Sequence, residues 1–393
     1  MLSVFFFIKL FTGNKLDFKF LMHPITLLIL LDLLWIFVSS VFSQLPEVSL
    51  KRFIIRLCYY ITFYFFYHEL FMQNGANIIK VFKMHVIGFL SPILYSFINH
   101  ASLGFTTMGS QRISAPFYFD HTIYGACLVF FIPFLYFLFL NAPDTKEKVF
   151  FGALLSIFLI AVILSYSRAA WISVFVACGV AMILKYRIKL KYLLYLAATV
   201  LVIGVINLTE ISRSLKENKD ISHSNNVGMH FKSISNINTD ASNKERINRW
   251  KCALRMFADK PATGFGPGTY QFFYGQYQRQ EDMTRISTYN GSKGHAHSEY
   301  LNYLSETGLP GLLIFLSLLT AVFGTAVRLY KRNISAQQSS LILFILPSLT
   351  TYLVHAFFNG FLEFDKMAMP VFMSFAAICF LDNNFKEQKK LLK

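Results

Sequence analysis

Residues 117–140 read FYFDHTIYGACLVFFIPFLYFLFL, and this stretch decides the fold. Beyond Asp120 and His121 it is apolar on every face, over a length that crosses a bilayer core as a helix and overruns any ordinary strand. The pattern recurs on both sides. Downstream lie 149–164, 169–184 and 190–206; upstream lie 21–42, 52–71 and 80–98; toward the C-terminus come 310–327, 341–358 and 364–381. Ten spans of roughly 17 to 24 residues result. A transmembrane β-barrel would need alternating ten-residue strands with polar lumen faces, which these runs do not show. Residues 1–11 are apolar but too short to cross unaided, and no small-residue cleavage site follows. They read as an interfacial stretch or an eleventh, tilted span rather than a removable signal peptide.

Composition agrees. The 393 residues are 55% hydrophobic and only 15% charged, about ten points below the charged share of a soluble globular protein. That argues against a water-soluble enzyme and for an all-α polytopic integral membrane protein of about 10–12 transmembrane helices. The formal charge of +16 would suggest nucleic acid in a soluble chain. Here basic loops against anionic lipid headgroups account for much of it, and no nucleic-acid partner is expected. Cys58, Cys127, Cys178 and Cys379 lie inside apolar runs and Cys252 stands alone, with no paired spacing. Neither a disulfide framework nor a thiolate metal site is indicated.

The short loops orient the spans. Lys185, Arg187, Lys189 and Lys191 form one basic turn, Arg328, Lys331 and Arg332 another, and Lys386, Lys389, Lys390 and Lys393 a basic tail. With simple alternation all three fall on one side, joined by Lys146 and Lys148, and that side is cytoplasmic by the positive-inside rule. The segments near Arg112, 165–168, 363–365 and the long stretch 207–309 then lie outside, in the periplasm of a Gram-negative cell. The chain divides into N-terminal transmembrane helices (1–206), a long external loop containing short helices and the chemistry-bearing motif (207–309), and C-terminal transmembrane helices with the basic tail (310–393).

Between 207 and 298 the external loop carries 13 basic and 8 acidic residues. Its section 218–242 is rich in Ser, Asn and Asp and reads as a connection or lid. Residues 243–259 read as an amphipathic helix with Ile247, Trp250, Leu254 and Phe257 on one face, after an N-cap at Asp240 or Ser242. Arg246 and Arg249 flank that stripe, so a helix lying on the membrane surface would present guanidinium groups at headgroup level. They fit either lipid phosphates or a bound anion. Thr263-Gly-Phe-Gly-Pro-Gly-Thr269 follows, a glycine-rich turn that serves either as a tight turn or as a cradle of backbone amides for an anion.

His295 and His297 stand in Gly294-His-Ala-His-Ser-Glu-Tyr300, just before a helical run. No third ligand has convincing spacing, so no metal is expected. If Ser298 caps the following helix, His297 sits at its positive end, where the imidazole stays neutral and can take a proton from a hydroxyl. The bland alternative is a histidine that anchors the loop. Arg168, in Ser165-Tyr-Ser-Arg168 at an external mouth, is a functional candidate because a permanent charge there needs an anion or the bundle interior. Arg112, Asp120 and His121 border another mouth and suggest a salt bridge between spans. Asp365 can orient a histidine or pair with Lys366. Guanidinium groups at membrane level beside one plausible base suit an anionic lipid diphosphate, whose own linkage supplies the energy without a nucleotide.

At this point the residues resemble a known family. Arg246-x-x-x-Trp250, Ala253-Leu-Arg-Met-Phe257, Pro261, Gly264-Phe-Gly-Pro-Gly268, His297-Ser-Glu-Tyr-Leu301 and Glu306-Thr-Gly-Leu-Pro-Gly311 look like the signature of the O-antigen ligase and polymerase superfamily, and Ser165-Tyr-Ser-Arg168 is similar to its Ser-Arg motif. Ala169 stands where that family often has Gly, and Ser298 where Asn is common. The resemblance implies a metal-independent, inverting transfer of a glycan from undecaprenyl diphosphate in the inner membrane, with the active site toward the periplasm and no cofactor. It implies Arg168 and Arg246 on the diphosphate and His297 as activator of the acceptor; Arg249 (diphosphate) and Asp365 (support) are added from placement. A ligase passes the glycan to lipid A-core, a polymerase to another carrier-linked repeat, and some relatives to serine or threonine of proteins; the compact loop favours the ligase. The rival from another class is a transporter or flippase, supported best by Lys80, Lys83 and His85 in the third span.

Overall fold

The computed structural model describes residues 18–110, 113–189, 241–284, 287, 294–332 and 336–391. Among them the regular structure is helical throughout, without a strand. The long helices are α1 (Pro24–Val41), α2 (46–73), α3 (Asn77–Ser102), α4 (His121–Leu140), α5 (Thr145–Leu164), α6 (Arg168–Lys185), α7 (Ala241–Asp259), α8 (Glu299–Lys331), α9 (Ala336–Ala356) and α10 (Asp365–Leu391). All but α2 and α7 are long and apolar enough to cross a membrane, so the chain is an all-α polytopic membrane protein. These eight match eight of the ten expected spans. The ninth, at 52–71, falls within α2, which a π turn at Ile61–Phe65 interrupts. The tenth, at 190–206, lies outside the described residues, as do residues 1–11, Arg112 and the section 218–240.

The apolar residues show which side each helix turns to lipid. Along α5, Phe150, Ile157, Ile160 and Ile163 are 38–51% exposed, while Phe151, Leu154, Phe158 and Ala161 are buried. The buried set recurs at helical spacing and meets α4. An apolar outer face of this extent is a liability in water and the ordinary contact surface in a bilayer. Burial is greatest along α4, α9 and α10, and Phe82 of α3, Phe134 of α4 and Phe344 of α9 bring ring centroids within 4.8–5.3 Å of one another.

The two ends of the bundle differ in chemistry. At one, buried Asp382 meets His23 Nε2 at 3.3 Å and Arg328 at 3.7 Å, with Lys386 beside it. Lys83 pairs with Glu147 at 3.8 Å where α5 begins, and His85 Nδ1 lies 2.9 Å from its own helix's Val81 carbonyl. At the other end the connections after α1, before α6, before α8 and before α10 converge. Asp120 stands here. Its Oδ1 accepts the Thr122 and Ile123 amides at 2.7 and 3.1 Å as the N-cap of α4, while Arg112, expected beside it at this mouth, lies outside the described residues.

Candidate functional site

The glycine-rich turn and the break in α8 interlock. Gly308 (φ 71°, ψ −173°) interrupts α8 two residues before the span expected to begin at 310, and a Cβ there would lie 2.2 Å from the Ala262 carbonyl oxygen. A Cβ on Gly264 (φ 66°) would lie 2.3 Å from the Glu306 carbonyl carbon. Glycine is required at both positions because two backbones touch in a left-handed conformation. The freed backbone groups are taken up across the contact: Phe265 N donates to Ser305 O (3.0 Å), Gly266 N to Glu306 O (2.8 Å) and Leu309 N to Pro261 O (2.9 Å), while Trp35 Nε1 donates to Thr307 O (2.8 Å). The anion that the turn cradles is internal. The Glu306 carboxylate accepts the amides of Gly268 and Tyr270, both at 2.9 Å. Those donors are occupied by the protein itself, so the turn acts as a clamp.

α7 lies on this clamp, by a different face from the one its apolar stripe suggests. Glu245, Asn248, Arg249, Cys252, Ala253 and Met256 are buried, whereas Leu254 is 50% exposed. The small side chains of Cys252 and Ala253 admit the stacked rings of Tyr270 and Tyr274 (5.3 Å, 6°), which with Phe265 and Ala296 form a separate small core. Of the stripe, Leu254 is left exposed and Ile247 and Phe257 are half-buried. Arg249 consequently turns inward. Its Nε donates to Glu245 Oε1 (3.0 Å), its guanidinium lies 4.8 Å from the Tyr274 ring centroid, and its Nη1 donates to His295 O (3.3 Å). A Cβ on Gly294 would come within 2.4 Å of that Nη1, so glycine lets the chain pass the guanidinium.

These contacts fix the turn carrying both histidines. Trp250 Nε1 donates to His297 O (3.1 Å), and Asn302 Oδ1 accepts the Ala296 amide (2.7 Å). His297 adopts φ 50°, a left-handed conformation that costs a non-glycine residue energy and persists only where the surroundings enforce it. Ser298 caps α8, its hydroxyl accepting from Leu301 N at 3.5 Å. The hydrogen bonds also assign the ring protons. The His297 amide donates to His295 Nδ1 (3.0 Å), so neutral His295 carries its proton on Nε2. His297 Nδ1 faces Asn359 Oδ1 (3.4 Å), which places the proton on Nδ1 and leaves Nε2 with a free lone pair. Burial drives the His297 imidazole well below its usual range, aided by His295, Arg249 and Arg246, with the Asn359 contact opposing. Burial likewise lowers His295, against the charges of Glu363 and Asp120. Both rings are therefore neutral near pH 7.

The other expected residues are spread around this centre. Arg246, one turn before Trp250, donates Nη1 to Asn243 Oδ1 (3.1 Å), and its charge reaches His297. Arg168 opens α6 after the Ser165–Ser167 turn, against the first turns of α4: a Cβ on Gly125 would lie 3.0 Å from both Ser165 Oγ and Ser167 Cβ. Asp365 pairs with Lys366 at 3.0 Å, both side chains about half exposed, and the group facing His297 is Asn359 instead. Asn359 and Glu363 belong to the same connection before α10, from which only Asp365 was singled out in the sequence. Arg52 and Arg56 went unnoticed as well. They stand at i, i+4 on α2, and charges at the mouth of a span were the signal that would have found them. Among the described residues no three His, Cys, Asp or Glu side chains cluster as metal ligands.

Comparison with known proteins fits this arrangement. The family model described as O-Antigen ligase matches residues 151–316, the section from α5 through the break in α8. Two relatives carry the name "Putative polysaccharide ligase". The one from Rickettsia felis is 25% identical over 289 residues, covering 72% of this chain and 64% of its own length. The one from Rickettsia conorii is 24% identical over 322 residues, covering 80% of this chain and 70% of its own.

Proposed function

We propose that this chain is a membrane glycosyltransferase of the O-antigen ligase type. It moves a glycan from undecaprenyl diphosphate to a hydroxyl of lipid A-core, at the periplasmic face of the inner membrane, with inversion and without a metal. The observation that carries this reading is His297: a neutral imidazole, its Nδ1 turned to Asn359 and its Nε2 lone pair free, within the field of Arg246 at the end of the bundle where the external connections meet. The family match and the rickettsial relatives support the same class of reaction.

In this reading Nε2 of His297 takes the proton of the acceptor hydroxyl as its oxygen attacks the anomeric carbon of the donor. The bond from that carbon to the diphosphate oxygen breaks on the opposite side, which inverts the configuration and releases undecaprenyl diphosphate. Arg168 and Arg246 hold the diphosphate and neutralise the charge developing on it, a task suited to planar guanidinium groups that grip phosphate oxygens in pairs. Arg249, turned inward on Glu245 and the His295 carbonyl, is a positioning residue for the turn. Asp365 is at most a support at the rim.

The test offers the purified chain a carrier-linked glycan with lipid A-core and with a carrier-linked repeat, separately. Product on lipid A-core is expected; product on the repeat would make the chain a polymerase. His297→Ala should lower transfer by about 100-fold or more, with insertion and protein level unchanged. Full transfer by that variant removes His297 as the base.

A further inference from the structure

A narrow cleft opens between α1, α2 and the first turns of α8, on the far side of Asn302 from the histidine turn. We propose that it is a saccharide subsite, binding a neutral sugar of the acceptor so that a neighbouring hydroxyl is presented to His297. The proposal rests on the transfer reading above and names where its acceptor sits.

The walls mix donors and acceptors. Arg52 Nη2 donates to Glu363 Oε2 (3.0 Å) at the rim, where the two side chains remain 29% and 17% exposed. Deeper in, Arg56 Nη1 and Asn302 Nδ2 are buried without a hydrogen-bond partner. Glu299 also lines the cleft, its Oε2 accepting the Leu362 amide (3.2 Å). Buried polar groups of this kind require partners. A diphosphate would supply acceptors for the arginines but would place its charge against the Glu363 carboxylate at the rim; Glu299 and Glu306 are essentially buried, and burial shifts both toward the protonated form. A neutral polyol has no such conflict, because each hydroxyl both donates and accepts. It answers Arg56 and Asn302 with its oxygens and the carboxylates with its protons.

The cleft and the base share a wall. Asn302 lines the cleft and, through Oδ1, holds the Ala296 amide between the two histidines at 2.7 Å. The charges of Glu363 and Arg52 act on His295 from the cleft side. A sugar seated against Asn302 therefore lies next to the histidine turn.

The test measures binding without turnover. Dephosphorylated lipid A-core oligosaccharide and undecaprenyl diphosphate are titrated separately into the purified full chain, for the wild type, Arg52→Gln and Glu363→Gln. Removing a charged hydrogen-bonding group should weaken oligosaccharide binding by about tenfold or more while undecaprenyl diphosphate binds as before. Unchanged oligosaccharide affinity, or loss of undecaprenyl diphosphate binding instead, overturns the assignment. If a single variant does not fold, the charge-balanced pair Arg52→Gln with Glu363→Gln is read in its place. Should the wild type bind the oligosaccharide in this cleft yet transfer no glycan to any acceptor, the transfer reading falls and the saccharide site stands.

Discussion

Replacing Arg249 by Met separates a residue that holds the histidine turn from one that holds the donor. The guanidinium is only 10% exposed and Glu245 only 8%, with 3.0 Å between them. Removing one partner of such a buried pair strands the other charge, which costs about 3–5 kcal/mol. Loss of the contact with Tyr274 and of the bond to the His295 carbonyl adds to this. The double variant Arg249→Met with Glu245→Met should recover most of the loss, because no charge is left stranded. It should remain about 1–2 kcal/mol short, since Glu245 also accepts from Thr284 and Ser287. A coupling energy of about 3 kcal/mol is expected from the cycle. Equilibrium unfolding in mixed micelles measures it, with Trp250 as reporter because its indole bonds to the His297 carbonyl. In parallel, the KM for carrier-linked glycan should hold while kcat falls. A single variant within about 1 kcal/mol of the wild type, with donor KM raised, would refute the reasoning and put Arg249 on the diphosphate.

Other outcomes follow from the same geometry. Arg168→Lys and Arg246→Lys should each raise donor KM by about tenfold, because an ammonium cannot copy the planar fork; wild-type donor affinity in both would count against the diphosphate assignment. Glu306→Gln should destabilise the fold by about 2 kcal/mol in thermal or denaturant unfolding, since one amide oxygen cannot accept from both Gly268 and Tyr270 as the carboxylate does. Its donor KM should not move, as the turn's amides face an internal carboxylate. Burial depresses the folded-state pKa of His295 and His297 below the unfolded value near 6.5. Their contribution to stability is therefore full above about pH 6.5 and declines as pH falls below it, toward the lowered folded values. Melting curves of His297→Gln across that window should slope less steeply than those of the wild type. In Asn359→Ala, the ring of His297 loses the acceptor that fixes its tautomer; kcat should fall by about tenfold with both KM values held.

The amphipathic helix shows where sequence reading stops. Ile247, Trp250, Leu254 and Phe257 form a true apolar stripe, and periodicity placed the helix correctly over α7. Which face packs on protein was decided by a partner invisible to periodicity: the stacked Tyr270 and Tyr274, which need the small Cys252 and Ala253 opposite them. The glycine-rich turn behaves likewise. Its composition announces exposed amides that want an anion, and the anion is Glu306, which lies 38 residues from Gly268. Asn359 lies 62 residues from His297 and has no local pattern to mark it.

Local chemistry in the sequence was enough to specify the class of molecule, because a run of apolar side chains has one low-energy use and basic loops have one favourable side. It also nominated His297, Arg168 and Arg246 as candidates, since charged and titratable groups at span ends are scarce. Only the tertiary structure decided what those groups face. It turned Arg249 inward, set Asn359 rather than Asp365 against the imidazole, filled the glycine turn with the protein's own carboxylate, and opened the cleft beside Arg52 and Arg56. Side-chain partners across a bundle depend on the packing of helices far apart in the chain, and no pattern within one helix encodes that.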